Sequence, residues 1–171
     1  MPYPTVSVRA PEPPRQPTTL TVTSETFAAA GAIPNVAAYG GCGGENQSPQ
    51  LAWEGAPPET RSFAVTCFDP DAPTGSGYWH WTVCNIPAST TRLDAGASTG
   101  TAGRNDYGAS GYGGPCPPKG DGAHRYVFTV YALDVPSLDG IGADTSGASV
   151  IFTMRGHVLA TGSITGTFGM S

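Results

Sequence analysis

Three runs of β-branched and aromatic residues constrain the fold of this chain more than any other feature of its sequence. The run at 61–68 is apolar on both of its alternating faces, which is typical of a strand in the middle of a sheet. The runs at 78–86 and 124–133 have the composition of two further strands. The sequence therefore predicts a mainly β protein built around these three strands.

Weaker patterns complete the predicted secondary structure. Short strands are predicted at 18–24 and 50–55, and an edge strand at 163–169. Apolar residues recur at helical spacing only in 148–160, which predicts one short helix that Gly162 can end. We therefore expect an antiparallel β-sandwich with one short C-terminal helix and long loops rich in glycine and proline.

Glycine and proline separate these elements. The 24 glycines and 17 prolines make up about a quarter of the 171 residues, and six of the prolines fall in residues 1–17, which predicts an extended lead-in before one domain at 18–171. Residues 27–49 are predicted to be mostly loop. The connection 95–123 contains nine glycines, and a connection of that length in a compact domain is usually functional.

Charge and hydropathy exclude several classes of protein. The net charge is −5 and the eight Lys and Arg residues form no basic run, which argues against nucleic-acid binding. No stretch approaches the ~20 apolar residues of a membrane-spanning helix. The N-terminus has no apolar signal core, so we expect a cytoplasmic protein.

The four cysteines have no C-x-x-C spacing, which argues against a zinc ribbon or a thioredoxin-like redox motif. Cys67 and Cys84 lie in apolar runs and are expected to be buried free thiols. Cys42 and Cys116 lie in Gly-rich loops. In a reducing compartment free thiols are favoured at these two positions as well, and a disulfide between them is the alternative.

Polar side chains collect at the ends of the three main predicted strands. They are Asp69 and Asp71 after the first strand, His80 at the start of the second, and His124 and Tyr126 at the start of the third. Residues two apart in a strand share a face, so Tyr126 lies on the same side as His124. If the three strands are neighbours, these groups converge on one rim of the sheet, and the loop GYGGPCPP at 111–118 can cover it.

This combination of side chains suits a phosphate-bearing ligand. Two imidazoles, a phenol and the N–H groups of a Gly-rich loop are all hydrogen-bond donors for a dianion. A carboxylate that accepts from one imidazole nitrogen fixes the ring, raises its pKa and leaves the other nitrogen for the ligand. A carboxylate that faces outward could instead meet a cationic head group.

Several segments together resemble the phosphatidylethanolamine-binding proteins, specifically their bacterial Raf-kinase-inhibitor-like branch. These segments are SPQLAWEGAP, DPDAPTGSGYWHW, GYGGPCPP, HRYVFTVYALD and GHVLA, and the resemblance covers about residues 20–169. It implies a β-sandwich whose small pocket binds phosphate or phosphorylated head groups, a cis peptide bond before Pro73, and a possible homodimer. Carried over residue by residue, the resemblance places these residues in the pocket: Asp69, Asp71, Pro73, His80, Gly114, Pro115, His124 and Tyr126.

We expect ligand binding without catalysis, because no nucleophile in the sequence has an adjacent base. The resemblance supplies the main alternative, which is a kinase or protease inhibitor or scaffold that acts through protein contact. No metal or cofactor is expected, although two Asp and two His could in principle hold zinc. The GASTG stretch at 96–100 matches G-x-S-x-G but lacks the strand and the helix of a nucleophile elbow.

The remaining histidine and the tryptophans are assigned structural roles. His157 is expected on the predicted helix, away from the pocket motifs. Trp53, Trp79 and Trp81 are expected in the core or at an interface rather than against a ligand.

Overall fold

The computed structural model describes residues 17–170. Within that range the chain forms two sheets and one α-helix, α1 at Gly147–Met154. The strands are β1 Thr18–Thr19, β2 Thr21–Thr23, β3 Leu51–Glu54, β4 Ser62–Asp69, β5 Tyr78–Pro87, β6 Arg92–Leu93, β7 Thr101–Ala102, β8 His124–Leu133 and β9 Val158–Phe168. The predicted Pro-rich segment at 1–17 lies outside the described residues, except for Pro17.

The two sheets pack face to face and the helix covers the outer face of the larger one. The strand order is β1-β9-β8-β4-β5-β7 in the large sheet and β2-β3-β6 in the small sheet. Trp53 of the small sheet packs against Phe63 of the large sheet with ring centroids 5.3 Å apart. On the opposite face, Val150 and Met154 of α1 pack against Ala64. The predicted mainly β sandwich with one short helix is confirmed.

The long predicted strands occur where the sequence indicated them. Strand β4 lies between β5 and β8, and all residues from Ser62 to Cys67 are buried. This confirms that the run at 61–68 forms a central strand, because both of its faces are covered. Its two neighbours begin at the edge where β4 ends, since both pairings are antiparallel.

The predicted helix at 148–160 is too long. Helix α1 ends at Met154, and Gly156 adopts a φ of +86°, which turns the chain out of the helix. Val158 is already the first residue of β9. The prediction failed because apolar residues of a turn and a strand continued the helical spacing by coincidence.

The expected edge strand at 163–169 is the second half of β9, where β8 is the strand partner on one side and the loop residues Ala30 and Ile33 donate backbone hydrogen bonds on the other. Strand β9 spans Val158–Phe168 and pairs with β8 on one side and, in parallel, with β1 on the other. The predicted strand at 18–24 is divided at Leu20, which is buried between β1 in the large sheet and β2 in the small sheet. The edge strands of the large sheet are therefore β1 and β7.

The helical content has no membrane-spanning candidate. Among residues 17–170, no helix is long and apolar enough to cross a bilayer.

A disulfide links Cys42 to Cys116, which corrects the expectation of free thiols at these positions. Their Cα atoms are 5.6 Å apart, within the range that a disulfide requires. The sequence could not favour this pairing because the two residues are 74 positions apart and meet only through the fold. Cys67 and Cys84 are buried free thiols as predicted, and burial raises the pKa of Cys84 to about 11.

Removing this disulfide should destabilise the protein. The double variant Cys42→Ser/Cys116→Ser is expected to lose roughly 2–4 kcal/mol of unfolding free energy, since the link no longer restricts the unfolded chain. For a chain of this size each kcal/mol lowers Tm by about 2–4 °C. Thermal denaturation with and without reductant checks this. Reductant should lower the Tm of the parent and leave that of the variant unchanged; equal melting of parent and variant would contradict the expectation.

Candidate functional site

A cavity of about 210 Å³ opens at the edge of the large sheet where β4 ends and β5 and β8 begin. Five residues that the sequence assigned to the pocket line it: Asp69, Pro73, His80, His124 and Tyr126. Its wall also contains Ala72, Thr74, Tyr78, Tyr107, Cys116, Pro117 and Pro118. The cavity is therefore formed by strand ends on one side and by two proline-containing loops on the other.

Asp69 is a buried carboxylate that holds two neighbouring elements in place. It is the last residue of β4 and is only 2% exposed. Its Oδ1 accepts a hydrogen bond from the Asp71 N–H at 2.8 Å, and its Oδ2 accepts one from His124 Nδ1–H at 2.7 Å. The acid therefore orients a donor, which is the role that the sequence analysis gave to a pocket carboxylate.

His124 is placed between two carboxylates. Its Nδ1 faces Asp69, and its Nε2 lies 3.2 Å from Asp121 Oδ2. Burial alone would lower the pKa of His124, but the hydrogen bonds and charges of Asp69 and Asp121 outweigh burial and raise it. Only the protonated ring has an N–H for each of the two carboxylates.

His80, unlike His124, is favoured in its neutral form. The neighbouring β4 residues Cys67 and Phe68 pair with Trp81 and Trp79 of β5. His80 therefore lies between two paired residues and has no partner of its own in β4. This β-bulge leaves the His80 backbone carbonyl free to accept from the Gly113 N–H at 2.8 Å. His80 Nδ1–H donates to the Gly113 carbonyl at 2.7 Å, and burial lowers the pKa of the ring. The neutral ring thus keeps its Nε2 lone pair.

Tyr126 lines the cavity and has a buried hydroxyl without a hydrogen-bond partner among the described residues. The residue is 0% exposed and lines the cavity beside His80, with ring centroids 5.1 Å apart. Its hydroxyl has no hydrogen-bond partner in the described part of the chain. Burial and the nearby Asp69 raise the pKa of Tyr126, so the phenol keeps its proton and remains a donor.

Asp71 fixes the turn that follows β4 and does not line the cavity. Its carboxylate accepts from the Arg125 backbone N–H at 2.9 Å, from Nε at 3.0 Å and from Nη2 at 2.8 Å. These hydrogen bonds hold the pKa of Asp71 down at about 2. The peptide before Pro73 is trans, as are all peptide bonds in residues 17–170, so the expected cis bond is wrong. The Asp69–Asp71 hydrogen bond and the Arg125 pair shape this turn without it.

Gly114 and Pro115 lie behind the cavity wall rather than in it. The Gly114 N–H donates to Asn46 Oδ1 at 2.7 Å, and the Pro115 carbonyl accepts from the Tyr39 N–H at 3.0 Å. A Cβ atom at position 114 would overlap the Ala37 carbonyl oxygen, so only glycine permits this approach. The two residues anchor the loop that presents Cys116, Pro117 and Pro118 to the cavity.

Tyr107 in the cavity wall and Asp121 beside His124 were missed by sequence reasoning. Tyr107 stacks on Tyr39 at 4.0 Å between ring centroids and donates from its hydroxyl to the Gly114 carbonyl at 2.8 Å. Its only signal was an aromatic residue inside the Gly-rich connection 95–123. Asp121 carried no signal beyond its position three residues before His124.

The other candidate groups lie apart from this cavity. His157 follows α1 instead of lying on it, and its Nδ1 donates to Asp134 Oδ1 at 2.9 Å. Trp53 and Trp81 are buried as predicted. Residues 96–100 form a loop that leads into β7 rather than into a helix. Within residues 17–170, no group of three or more His, Cys, Asp or Glu side chains is placed to hold a metal ion.

The unsatisfied hydroxyl predicts unequal effects of two tyrosine substitutions. Tyr126→Phe should leave the free energy of unfolding unchanged or raise it, because it removes a buried donor without a partner. Tyr112→Phe is the matched control, because the Tyr112 hydroxyl donates to the Ala37 carbonyl at 2.7 Å. That variant should lose about 1 kcal/mol. Urea denaturation without ligand measures both, and a clear loss at Tyr126→Phe would show that its hydroxyl has a partner in the free protein.

A family model described as "Phosphatidylethanolamine-binding protein" matches residues 23–169. UPF0098 protein YbcL of Escherichia coli K12 is 52% identical over 134 residues, which cover 73% of each chain. UPF0098 protein YbhB of the same strain is 47% identical over 146 residues, covering 80% of this chain and 91% of its own.

Solved structures agree with these sequence matches. The crystal structure of E. coli YbcL, described as a new member of the mammalian PEBP family, superposes with a TM-score of 0.85 at 41% identity, over 90% of this chain and 100% of that one. The homolog CT736 from Chlamydia trachomatis superposes with a TM-score of 0.80 at 33% identity, over 90% and 99% of the two chains.

Proposed function

This chain belongs to the phosphatidylethanolamine-binding protein family, and on that premise we propose that it binds a small phosphate-bearing molecule in the cavity between β4, β5 and β8. The observation that carries the proposal is the Tyr126 hydroxyl, which is buried in the cavity wall without a partner among the described residues. Leaving a buried donor unsatisfied costs roughly 1–3 kcal/mol. An oxygen acceptor of a ligand would remove that penalty.

The size of the cavity limits the ligand. Its volume of about 210 Å³ lies below the roughly 300 Å³ at which pockets for drug-sized ligands begin. An inorganic phosphate or a phosphorylated head group suits this volume, whereas two acyl chains do not. We therefore propose a head group or a small phosphate ester as the bound part of any lipid.

The two histidines differ in how they would meet a phosphate. His124, whose protonated form is favoured, offers a positive charge. His80 is neutral with a free Nε2 lone pair, so it must either take up a proton or accept a hydrogen bond from a protonated phosphate oxygen. The proposal is for binding alone, and we assign no catalytic residue.

Both histidines should be needed for binding. In calorimetric titrations with inorganic phosphate and with O-phosphoethanolamine, His80→Ala and His124→Ala should each weaken binding at least about 10-fold, or ~1.4 kcal/mol. His157→Ala is the control, because His157 lies outside the cavity and pairs with Asp134. Circular dichroism should show an unchanged fold in all three variants. Absence of binding by the parent, or equal binding by all variants, would remove the cavity as the function.

The same cavity should bind anions more tightly as the pH falls. Sulfate is a suitable probe because it stays a dianion between pH 6 and pH 8. Since burial lowers the pKa of His80, the ring is neutral at pH 8. A bound dianion favours its protonated form, so binding takes up a proton. One proton taken up changes the affinity by up to about 10-fold per pH unit. His80→Ala should flatten this dependence, and equal sulfate affinity of the parent at both pH values would contradict proton uptake.

A role through protein contact is the second candidate function. The observation that favours it is Phe152, which is 73% exposed on α1 beside an apolar surface that includes Ile151 and Val158. Such a surface could contact a kinase, a protease or a second copy of the chain. The histidine variants distinguish the two candidates. If the parent inhibits a kinase or a protease, and His80→Ala and His124→Ala inhibit it equally well, that inhibition does not need the cavity.

A further inference from the structure

His124 has no free N–H to offer a ligand in the described structure. Its Nδ1–H is engaged by Asp69 at 2.7 Å, and its Nε2–H by Asp121 at 3.2 Å. A phosphate that uses this ring must therefore displace one of the two carboxylates. The environments of the two acids determine which one can leave.

Displacing Asp69 from His124 would leave its carboxylate charge buried without its cationic partner. Its side chain is 3% exposed and also accepts from the Asp71 N–H at 2.8 Å, so displacement would strand a buried carboxylate. The Asp121 side chain is 37% exposed and makes the longer contact, so water can solvate it when it moves away. It is also flanked by Gly120 and Gly122, whose φ angles are +91° and +81°.

The charges around His124 also indicate that Asp121 is the carboxylate that moves away. Asp69 and Asp121 together bring two negative charges to one imidazolium. The neighbouring Arg125 is already paired with Asp71 at 2.8 Å. An incoming anion therefore meets a net negative cluster as long as Asp121 stays on the ring, and a neutral His124–Asp69 pair once Asp121 has moved away.

We propose that Asp121 is an internal competitor for the anion. Its carboxylate occupies the His124 Nε2–H in the free protein, the phosphate of the ligand displaces it, and this exchange lowers the affinity of the pocket. Asp121 thus sets affinity through His124 and is not itself part of the phosphate-binding surface. The inference rests on the proposed function, since it concerns the same cavity.

The test is the isosteric variant Asp121→Asn with Asp134→Asn as its matched control. Asp134 also pairs with a histidine, at 2.9 Å from His157 Nδ1, but outside the cavity. Both variants remove one negative charge, so they change the net charge equally. Calorimetric titration with inorganic phosphate at pH 7 and constant ionic strength should show binding roughly 3- to 5-fold tighter in Asp121→Asn, as expected from removing one partly exposed ion pair. Asp134→Asn should bind like the parent.

A gain in affinity separates competition from a structural role, because a damaged pocket binds less tightly. O-phosphoethanolamine should show the same gain, since the competition is for the phosphate group. Weaker binding of either ligand by Asp121→Asn would overturn the inference, because Asp121 would then support the pocket or contact the ammonium group.

The remaining outcomes separate this inference from the proposed function. If the parent and Asp121→Asn bind phosphate equally well, while His80→Ala and His124→Ala bind it more weakly, the inference is overturned and the proposed function stands. No phosphate binding by either protein overturns both the inference and the proposed function.

Discussion

The buried carboxylate of Asp69 is the interaction on which the rest of the site depends. One charged group at the end of the central strand joins three parts of the chain: β4 itself, the turn that follows through the Asp71 N–H, and the start of β8 through His124. A buried charge without partners is strongly unfavourable, so these contacts form together. The edge of the sheet thereby becomes a rigid half of the cavity.

The loop that closes the other half is fixed by contacts outside the cavity. Asn46 accepts from the Gly114 N–H and donates from its side chain to the Tyr112 carbonyl at 3.0 Å. His80 joins this loop to the sheet through its bulged backbone and its ring. The cavity therefore has a wall whose shape is set by backbone hydrogen bonds, and side chains such as Tyr126 supply the donors that a ligand would meet.

The sequence predicts those parts of the fold and site that local patterns determine. Alternation places His124 and Tyr126 on one face, and the fully apolar run at 61–68 identifies the central strand, so much of the strand side of the cavity could be predicted. The boundary between α1 and β9 could not, because Val158 fits a helical spacing and a strand equally well. The stacking of Tyr107 on Tyr39 and the link of Cys42 to Cys116 join residues distant in sequence, and such contacts leave no local pattern.

The disulfide gives the cavity a dependence on its surroundings that its other contacts lack. Cys116 is both a wall residue and one end of the link to Cys42. In the cytosol, glutathione and thioredoxin keep such cysteines reduced, whereas in secreted and periplasmic proteins the disulfide persists. One amino-acid sequence therefore has a covalently closed binding site in one compartment and a site held only by hydrogen bonds in another, so the thiol chemistry of the cell becomes part of the description of the pocket.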